Sequence, residues 1–294
     1  MKVPFVFVLL ALPIALPALA HDNHDEESQH GSDLWDSRFY LWAGYMWTNH
    51  DTKLRVDARD VVLGSDVGTT IDFEDTLGLE DTVDQVLRLG FRWRFHDRHS
   101  LGVETYSFNR DARVTTQNDL SFEDLDVMAG ATVDSELNID IYEIEYAYSF
   151  LRSARHDLRG LFGLHWMVLD ATLTGSGAGN VFIDGKPVLS DGASASESAS
   201  LHAPLPVIGL QYNFQFVRNW VFSSRFKYFA IRSGVMSGNL TNVDISVGYQ
   251  TPWKLYVSGG LSVFDLGIEV EDDDQRLRVD WGFWGPQIRF GARF

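Results

Sequence analysis

The chain has 294 residues, no cysteine and a formal net charge of −17, and aromatic side chains make up 13% of it. Without cysteine there is no disulfide framework, thiol nucleophile or lipid-anchored cysteine. The acidic balance argues against nucleic acid as a partner, because neutralising phosphates takes clustered Lys and Arg. A hydrophobic share of 45% is too high for a disordered chain.

Lys2 is the only charged side chain in the first twenty residues, Val3 to Ala20 is apolar, and Ala18-Leu19-Ala20 is a small-x-small cleavage site. Residues 1–20 therefore read as a secretory signal peptide, cleaved after Ala20. Pro13 and Pro17 and the polar run that follows speak against a retained anchor helix. Residues 21–36 are polar and aperiodic and are expected to form a flexible periplasmic tail. Its His21, His24 and His30 raise the thought of a transition-metal site, but a solvated tail is the plainer reading, and no metal or other cofactor is assigned. After the signal no run of about 18 apolar residues occurs, so no transmembrane helix is expected. An exported chain that stays in a membrane must then close a barrel, since lipid satisfies no backbone polar group.

Residues 37–294 carry the strand period. From Gln85 to Phe95, one face is Gln85, Leu87, Leu89, Phe91, Trp93 and Phe95, and the other is Val86, Arg88, Gly90, Arg92 and Arg94. A dry sandwich core has no place for three arginines on one face. A membrane barrel places the apolar face on lipid and the polar face in the lumen. The pattern recurs in Tyr142 to Phe150, against Glu143 and Glu145, and in Ile208 to Phe216, against Gly209, Gln211, Asn213 and Gln215. It returns in Trp220 to Tyr228, against Arg225 and Lys227, and in Val243 to Tyr249, against Asp244. The chain ends on a strand whose lipid face runs Trp284, Pro286, Ile288, Phe290, Ala292, Phe294, opposite Arg289 and Arg293. That amphipathic strand closing on phenylalanine is similar to the signal by which outer-membrane barrels are taken up for assembly, which marks Phe290 and Phe294.

The expected fold is all-β: an antiparallel up-and-down transmembrane barrel of about ten strands, near 38–49, 83–95, 100–113, 134–150, 157–173, 199–216, 220–232, 237–250, 254–268 and 276–294. Eight or twelve strands also fit. Short polar connections at His96–His99, Ser153–Asp157, Val217–Asn219 and Thr251–Trp253 alternate with long ones at Asp51–Asp81, Val114–Val133, Gly175–Ser198 and Glu269–Gln275. This is the rhythm of periplasmic turns and external loops. The tight Ser233–Met236 connection is the exception. The Gly-, Ala- and Ser-rich stretch from Gly175 to Ser200 is expected to be the most mobile external loop.

The acidic stretch Ile71-Asp72-Phe73-Glu74-Asp75-Thr76-Leu77-Gly78-Leu79-Glu80-Asp81, the strand Arg88-Leu89-Gly90-Phe91-Arg92-Trp93-Arg94-Phe95, the segment Glu143-Ile144-Glu145-Tyr146-Ala147-Tyr148-Ser149-Phe150 and the segment Ala203-Pro204-Leu205-Pro206-Val207-Ile208-Gly209 together resemble a family of uncharacterised proteobacterial outer-membrane β-barrel proteins. The resemblance runs from about Phe39 to Phe294. It implies fold and location, the Gram-negative outer membrane, and no activity.

The registers turn Arg88, Arg92, Arg94, Glu104, Glu143, Glu145, His165, Arg225, Lys227, Asp244, Arg289 and Arg293 into the lumen. Glu104 is the least secure of them, because Tyr106 and Phe108 share its face. Isolated buried charges are costly, so these groups are expected to pair. A barrel near eight strands is filled by side chains, whereas open porins have 16–18. The expected role is therefore a structural or surface barrel with a charge-filled lumen, and a small diffusion channel or uptake porin is the alternative. An outer-membrane enzyme, protease or lipid hydrolase, comes third. His50-Asp51 at the first loop and His202 in the sixth strand form no catalytic motif, and His165 points inward. The runs Asp72–Asp81 and Glu269 to Asp274 are expected outside as solvated loops, with Ca²⁺ as the sharper alternative. The partners implied are outer-membrane lipid, lipopolysaccharide and the barrel-assembly machinery. Oligomeric state is not legible.

Overall fold

The computed structural model describes residues 37–60, 65–67, 70–77, 84–122, 125–177, 181–183, 185–187, 194–233, 236–271 and 275–294. The signal peptide, the tail with its histidines, and residues 78–83 and 272–274 of the acidic runs lie outside the described residues.

In chain order the strands are β1 (Phe39–Asp60), β2 (Ser65–Val67), β3 (Thr70–Asp72), β4 (Asp84–His96), β5 (His99–Thr115), β6 (Leu120–Phe122), β7 (Leu125–Val127) and β8 (Thr132–Arg152). They continue with β9 (His156–Ser176), β10 (Val181–Ile183), β11 (Lys186–Pro187), β12 (Ser194–Val217), β13 (Trp220–Arg232), β14 (Met236–Gln250), β15 (Leu255–Glu271) and β16 (Gln275–Arg293). Ten of them, β1, β4, β5, β8, β9 and β12 to β16, form an antiparallel ring that closes where β16 pairs with β1, from Tyr40↔Arg293 to Ala58↔Gln275. At the short-turn end the two chain ends meet: the Phe39 N–H donates to the Phe294 carbonyl at 2.7 Å, and the Phe294 N–H returns a bond at 3.0 Å. Asn219 and Lys254, with φ of 68° and 63°, take the left-handed conformation that the tight β12–β13 and β14–β15 turns require.

The strands outrun a bilayer. β12 has 24 residues and β8 and β9 have 21 each, whereas a tilted strand crosses the hydrocarbon in about 9–11. Along β8 the alternation holds from Val133 to Phe150, but its chemistry inverts. The outer face reads Asp134, Glu136, Asn138, Asp140 and then Tyr142, Ile144, Tyr146, Tyr148, Phe150. The inner face reads Val133, Leu137, Ile139, Ile141 and then Glu143, Glu145. β9 repeats the switch: Leu169, Ala171 and Leu173 are buried inside while Asp170, Thr172 and Thr174 face out, and below them His165 and Arg159 are inside while Phe162 and Trp166 face out. A strand in lipid turns its apolar side outward. A strand in water turns it inward. The inversion is the outer boundary of the membrane. Below it lies a transmembrane barrel, and above it stands a water-surrounded head with an apolar core.

The membrane belt is the ring of exposed apolar side chains, among them Leu41, Leu89, Ile144, Phe162, Ile208 and Leu261. Phe95, Phe150, Phe216, Trp220 and Phe294 are exposed near the short-turn rim, as an interfacial aromatic girdle requires. In the head, Phe108, Phe264, Trp281 and Phe283 pack with ring centroids 5.0–5.4 Å apart. They belong to one continuous core with Leu54, Leu137, Met167 and Leu205.

Several expected loops are wall. The first strand continues past Asn49 to Asp60, so His50 and Asp51 sit within β1, and polar residues there mark the water-facing head, not a loop. β4 begins only at Asp84, which leaves a gap between the upper parts of β1 and β5. β3 pairs with β1 there, and Ile71, Phe73 and Leu77 are buried in the core. Glu74 ties this stretch across to β5 through Arg110 Nη1 at 2.6 Å and accepts the Thr52 N–H at 2.6 Å. The described part of the acidic run, expected as a solvated loop, is therefore a wall patch. Ser194 to Ser200, expected within the most mobile loop, pair residue for residue with Asp170 to Ser176. A small second sheet, β6, β7, β10 and β11, adds Leu120, Phe122, Val127 and Val181 to the same core. A Cβ at Gly175 would stand 3.0–3.3 Å from the methyls of Val127 and Val181, so glycine there admits this sheet's close approach.

Candidate functional site: the charged lumen

Below the head the inner wall turns ionic. Glu104 of β5 accepts Arg88 Nε at 2.8 Å and both Arg225 terminal nitrogens at 3.2 Å. Asp244 of β14 accepts Arg225 Nη2 at 2.7 Å, Arg289 Nη2 at 3.3 Å, Arg88 Nη1 at 3.4 Å and the Gln287 amide at 3.0 Å. Glu143 of β8 receives Lys227 on one oxygen and lies 3.0 Å from His165 Nδ1 on the other, while Lys227 reaches Glu145 at 3.1 Å. Arg88, Lys227 and His165 are each 1% exposed.

Some of these contacts join neighbouring strands, as Arg225 faces Asp244 and Glu143 faces His165. Others cross the lumen: Arg225 and Lys227 stand on β13, and Glu104, Glu143 and Glu145 stand on β5 and β8 farther round the ring. Four cations, Arg88, Arg225, Lys227 and Arg289, meet four carboxylates, Glu104, Glu143, Glu145 and Asp244. Removing one member of a buried pair typically costs about 3–5 kcal/mol, because its partner is left charged and unsolvated. Planar guanidinium groups that satisfy two acids at once suit such a layer. Aromatic faces complete it: Arg289 lies 4.6 Å over Trp42 and Arg88 lies 4.8 Å over Tyr106. Trp42 fits because a Cβ at Gly90 would fall 2.3 Å from its ring. The inward position of Glu104 beside Tyr106 and Phe108 follows from the inversion, since one inner face is ionic below and apolar above.

Three of the residues expected in the lumen stand apart from this layer, nearer the short-turn end. Arg92 lies over the Tyr40 ring at 5.4 Å, and Arg293 lies over Tyr256 at 4.6 Å and Tyr40 at 5.2 Å. Arg94 donates to the Ser37 carbonyl at 3.3 Å. Sequence reading missed the pair Asp157–Arg159 at this level, which is buried. Arg159 has the same parity as His165 on one strand, so the period of two could have found it; Asp157 was hidden in what looked like a turn. Gln287 was missed as a neutral member of the charged layer.

Two histidines lie at the head. His50 lies on the inner wall, 2.9 Å from Thr48 Oγ1 and edge-on to Phe108 at 5.0 Å, and accepts Trp281 Nε1 at 3.3 Å. His202 is exposed on the outer face of β12. Among the described residues no group of three or more His, Asp and Glu side chains could hold a metal ion. Phe290 and Phe294 are both more than half exposed on the lipid face.

No family model matches the sequence, and no curated protein matches it. Solved structures do. The outer membrane protease OmpT from Escherichia coli superposes with a TM-score of 0.54 at 14% identity, over 88% of this chain and 97% of that one. The transport unit of the autotransporter AIDA-I from Escherichia coli has a TM-score of 0.41 at 9% identity, over 94% of each chain. The Pseudomonas putida toluene transporter TodX has a TM-score of 0.37 at 12% identity, over 90% and 92%. What the first likeness shows is the fold, an outer-membrane β-barrel.

Proposed function

We propose that this chain is a closed structural barrel of the Gram-negative outer membrane that holds a rigid β-barrel head above the cell surface. One observation carries the reading: the lumen is filled twice, by cross-lumen ion pairs at membrane level and by a continuous apolar core above them. Each filling alone is enough to oppose a water-filled path. A signal peptide cleaved after Ala20, a periplasmic tail, and an assembly signal in Phe290 and Phe294 belong to the same reading. So does kinship with the proteobacterial barrels that the sequence resembles. Lipid and lipopolysaccharide would be its partners along the belt.

The apolar inner wall of the head also speaks against an enzyme. The acid–histidine contact Glu143–His165 is sealed, with His165 stacked 5.5 Å from Phe264 beneath that core. Single-channel recording of the refolded barrel in a planar bilayer tests the proposal. The expected result is a flat baseline. Regular conductance steps would overturn it in favour of a small diffusion channel.

A further inference from the structure

The chain is acidic overall, at −17, but its short-turn end is not. Arg38 precedes β1, Arg98 lies in the β4–β5 turn, Arg155 in the β8–β9 turn, Arg218 in the β12–β13 turn and Lys254 in the β14–β15 turn. All five are exposed, and among the described residues none of the five is ion-paired. Asp97 is the one acidic side chain in these four turns, and the terminal carboxylate of Phe294 lies at the same rim. The turns also carry aromatic side chains on the lipid side. Phe95 and Arg98 flank one turn, Phe216, Arg218 and Trp220 another, and Trp253, 81% exposed, stands beside Lys254. An aromatic girdle sits at the level of the lipid headgroups, so cations one to three residues beyond it lie at the depth of the phosphates.

We propose that this rim binds anionic phospholipid headgroups of the periplasmic leaflet, an inference that rests on the assignment of the short turns to the periplasm. Each Lys or Arg held near an anionic lipid surface adds an attraction that salt screens. A guanidinium can also donate two parallel hydrogen bonds to a phosphate. The five cations are spread round the ring, one in each short turn and one where the chain enters β1. They meet the leaflet on every side and so set the depth at which the barrel rides. A soluble polyanion would match the charge but has no use for the aromatic side chains beside it.

Electron spin resonance of spin-labelled phosphatidylglycerol and phosphatidylcholine tests it, with the chain from His21 to Phe294 refolded in phosphatidylcholine vesicles. Phosphatidylglycerol should be favoured by about threefold or more at low salt and lose most of that preference at high salt. Arg38→Gln, Arg98→Gln, Arg155→Gln, Arg218→Gln and Lys254→Gln together should bring the two lipids to parity while circular dichroism reports an intact barrel. Asp97→Asn, which leaves every cation in place, should raise the preference. A parent without preference, or one whose preference is equal in both variants, would overturn the proposal. So would a preference that salt does not weaken. A preference that appears only after residues 21–36 are deleted would overturn it differently: Asp22, Asp25, Glu26 and Glu27 of the chain itself would then be what the rim binds. The readout is independent of conductance, so a conducting barrel can pass this test and a closed one can fail it.

Discussion

Phe162 and Thr172 lie on the same outer face of β9, ten residues apart. At about 3.4 Å per residue they are roughly 34 Å apart along the strand, and a tilt near 40° leaves about 26 Å of height. Phe162 is 62% exposed, sits between Tyr146 and Ile208 on the neighbouring strands, and is central to the lipid-facing run of β9. Thr172 sits between Glu136 and Ser198, with its hydroxyl 3.4 Å from that of Ser198. Half of a hydrocarbon core is about 15 Å, which places Thr172 well outside it. Arginine at a lipid-facing midplane position costs about 2–4 kcal/mol, so Phe162→Arg should lower the folding equilibrium constant by about 30- to 900-fold. Thr172→Arg should cost nothing and gain a few tenths of a kcal/mol from Glu136 opposite. Reversible guanidinium titration in lipid vesicles, followed by tryptophan fluorescence, measures both. Equal costs, or a larger cost at Thr172, would refute the assignment of the inversion to the membrane boundary.

Glu143→Ala should destabilise the barrel by about 3–5 kcal/mol, because Lys227 and His165 lose their shared acid. Arg92→Ala should cost less than about 1 kcal/mol, the value of one cation–aromatic contact, and the same titration compares them. Asp265, on the outer face of the head just above Val263, has its carboxyl raised above the usual range, first by burial and then by Asp280 and Asp51. Its protonated form stabilises the fold below the unfolded carboxylate pKa, and that contribution is lost as pH rises through the folded value. Asp265→Asn should therefore be more stable than the parent at pH 7 and lose that advantage toward pH 4 in paired urea titrations at the two values. Deleting Phe294 should slow insertion in cells more than it weakens the refolded barrel. Pulse-chase appearance of the heat-modifiable form reads the first, and normal kinetics would count against an assembly role.

The strand count, the ring order and the inward parity of the charged residues were legible in the sequence, because a period of two needs only a few residues on each strand. What polarity conceals is the medium. Asp134, Glu136, Asn138 and Asp140 lie in the strand read at 134–150, yet water, not lipid, suits them on its outer face. Taking outward to mean lipid made Asp51 and Ser194 to Ser200 into loops. The buried role of Ile71, Phe73 and Leu77 was hidden for another reason. A run that alternates apolar residues with Asp72, Glu74 and Asp75 shows its acids first, and the gap it fills between β1 and β5 exists only in three dimensions. Which charges pair was legible only between neighbouring strands, as for Arg88 with Glu104. Arg225 and Glu104 are 121 residues apart and meet across the lumen, not along a strand ladder.

The two fillings of the lumen answer to one physical constraint. Within the bilayer, moving an apolar side chain from lipid to lumen gains little, since lipid tails are as apolar as leucine. The transmembrane half must hold its interior by hydrogen bonds and ion pairs, and it has to satisfy nearly every one. Above the boundary water surrounds the wall, and burying Phe108, Trp281 or Leu205 draws on the hydrophobic effect directly. The head is thus the part of this chain that can fold by the means of a soluble protein. Nine of the ten ring strands run on from the membrane ring into the head, and the β3 patch stands in for β4. Order in the head therefore fixes the register below it, and with it the geometry in which Arg88, Arg225 and Lys227 find their acids.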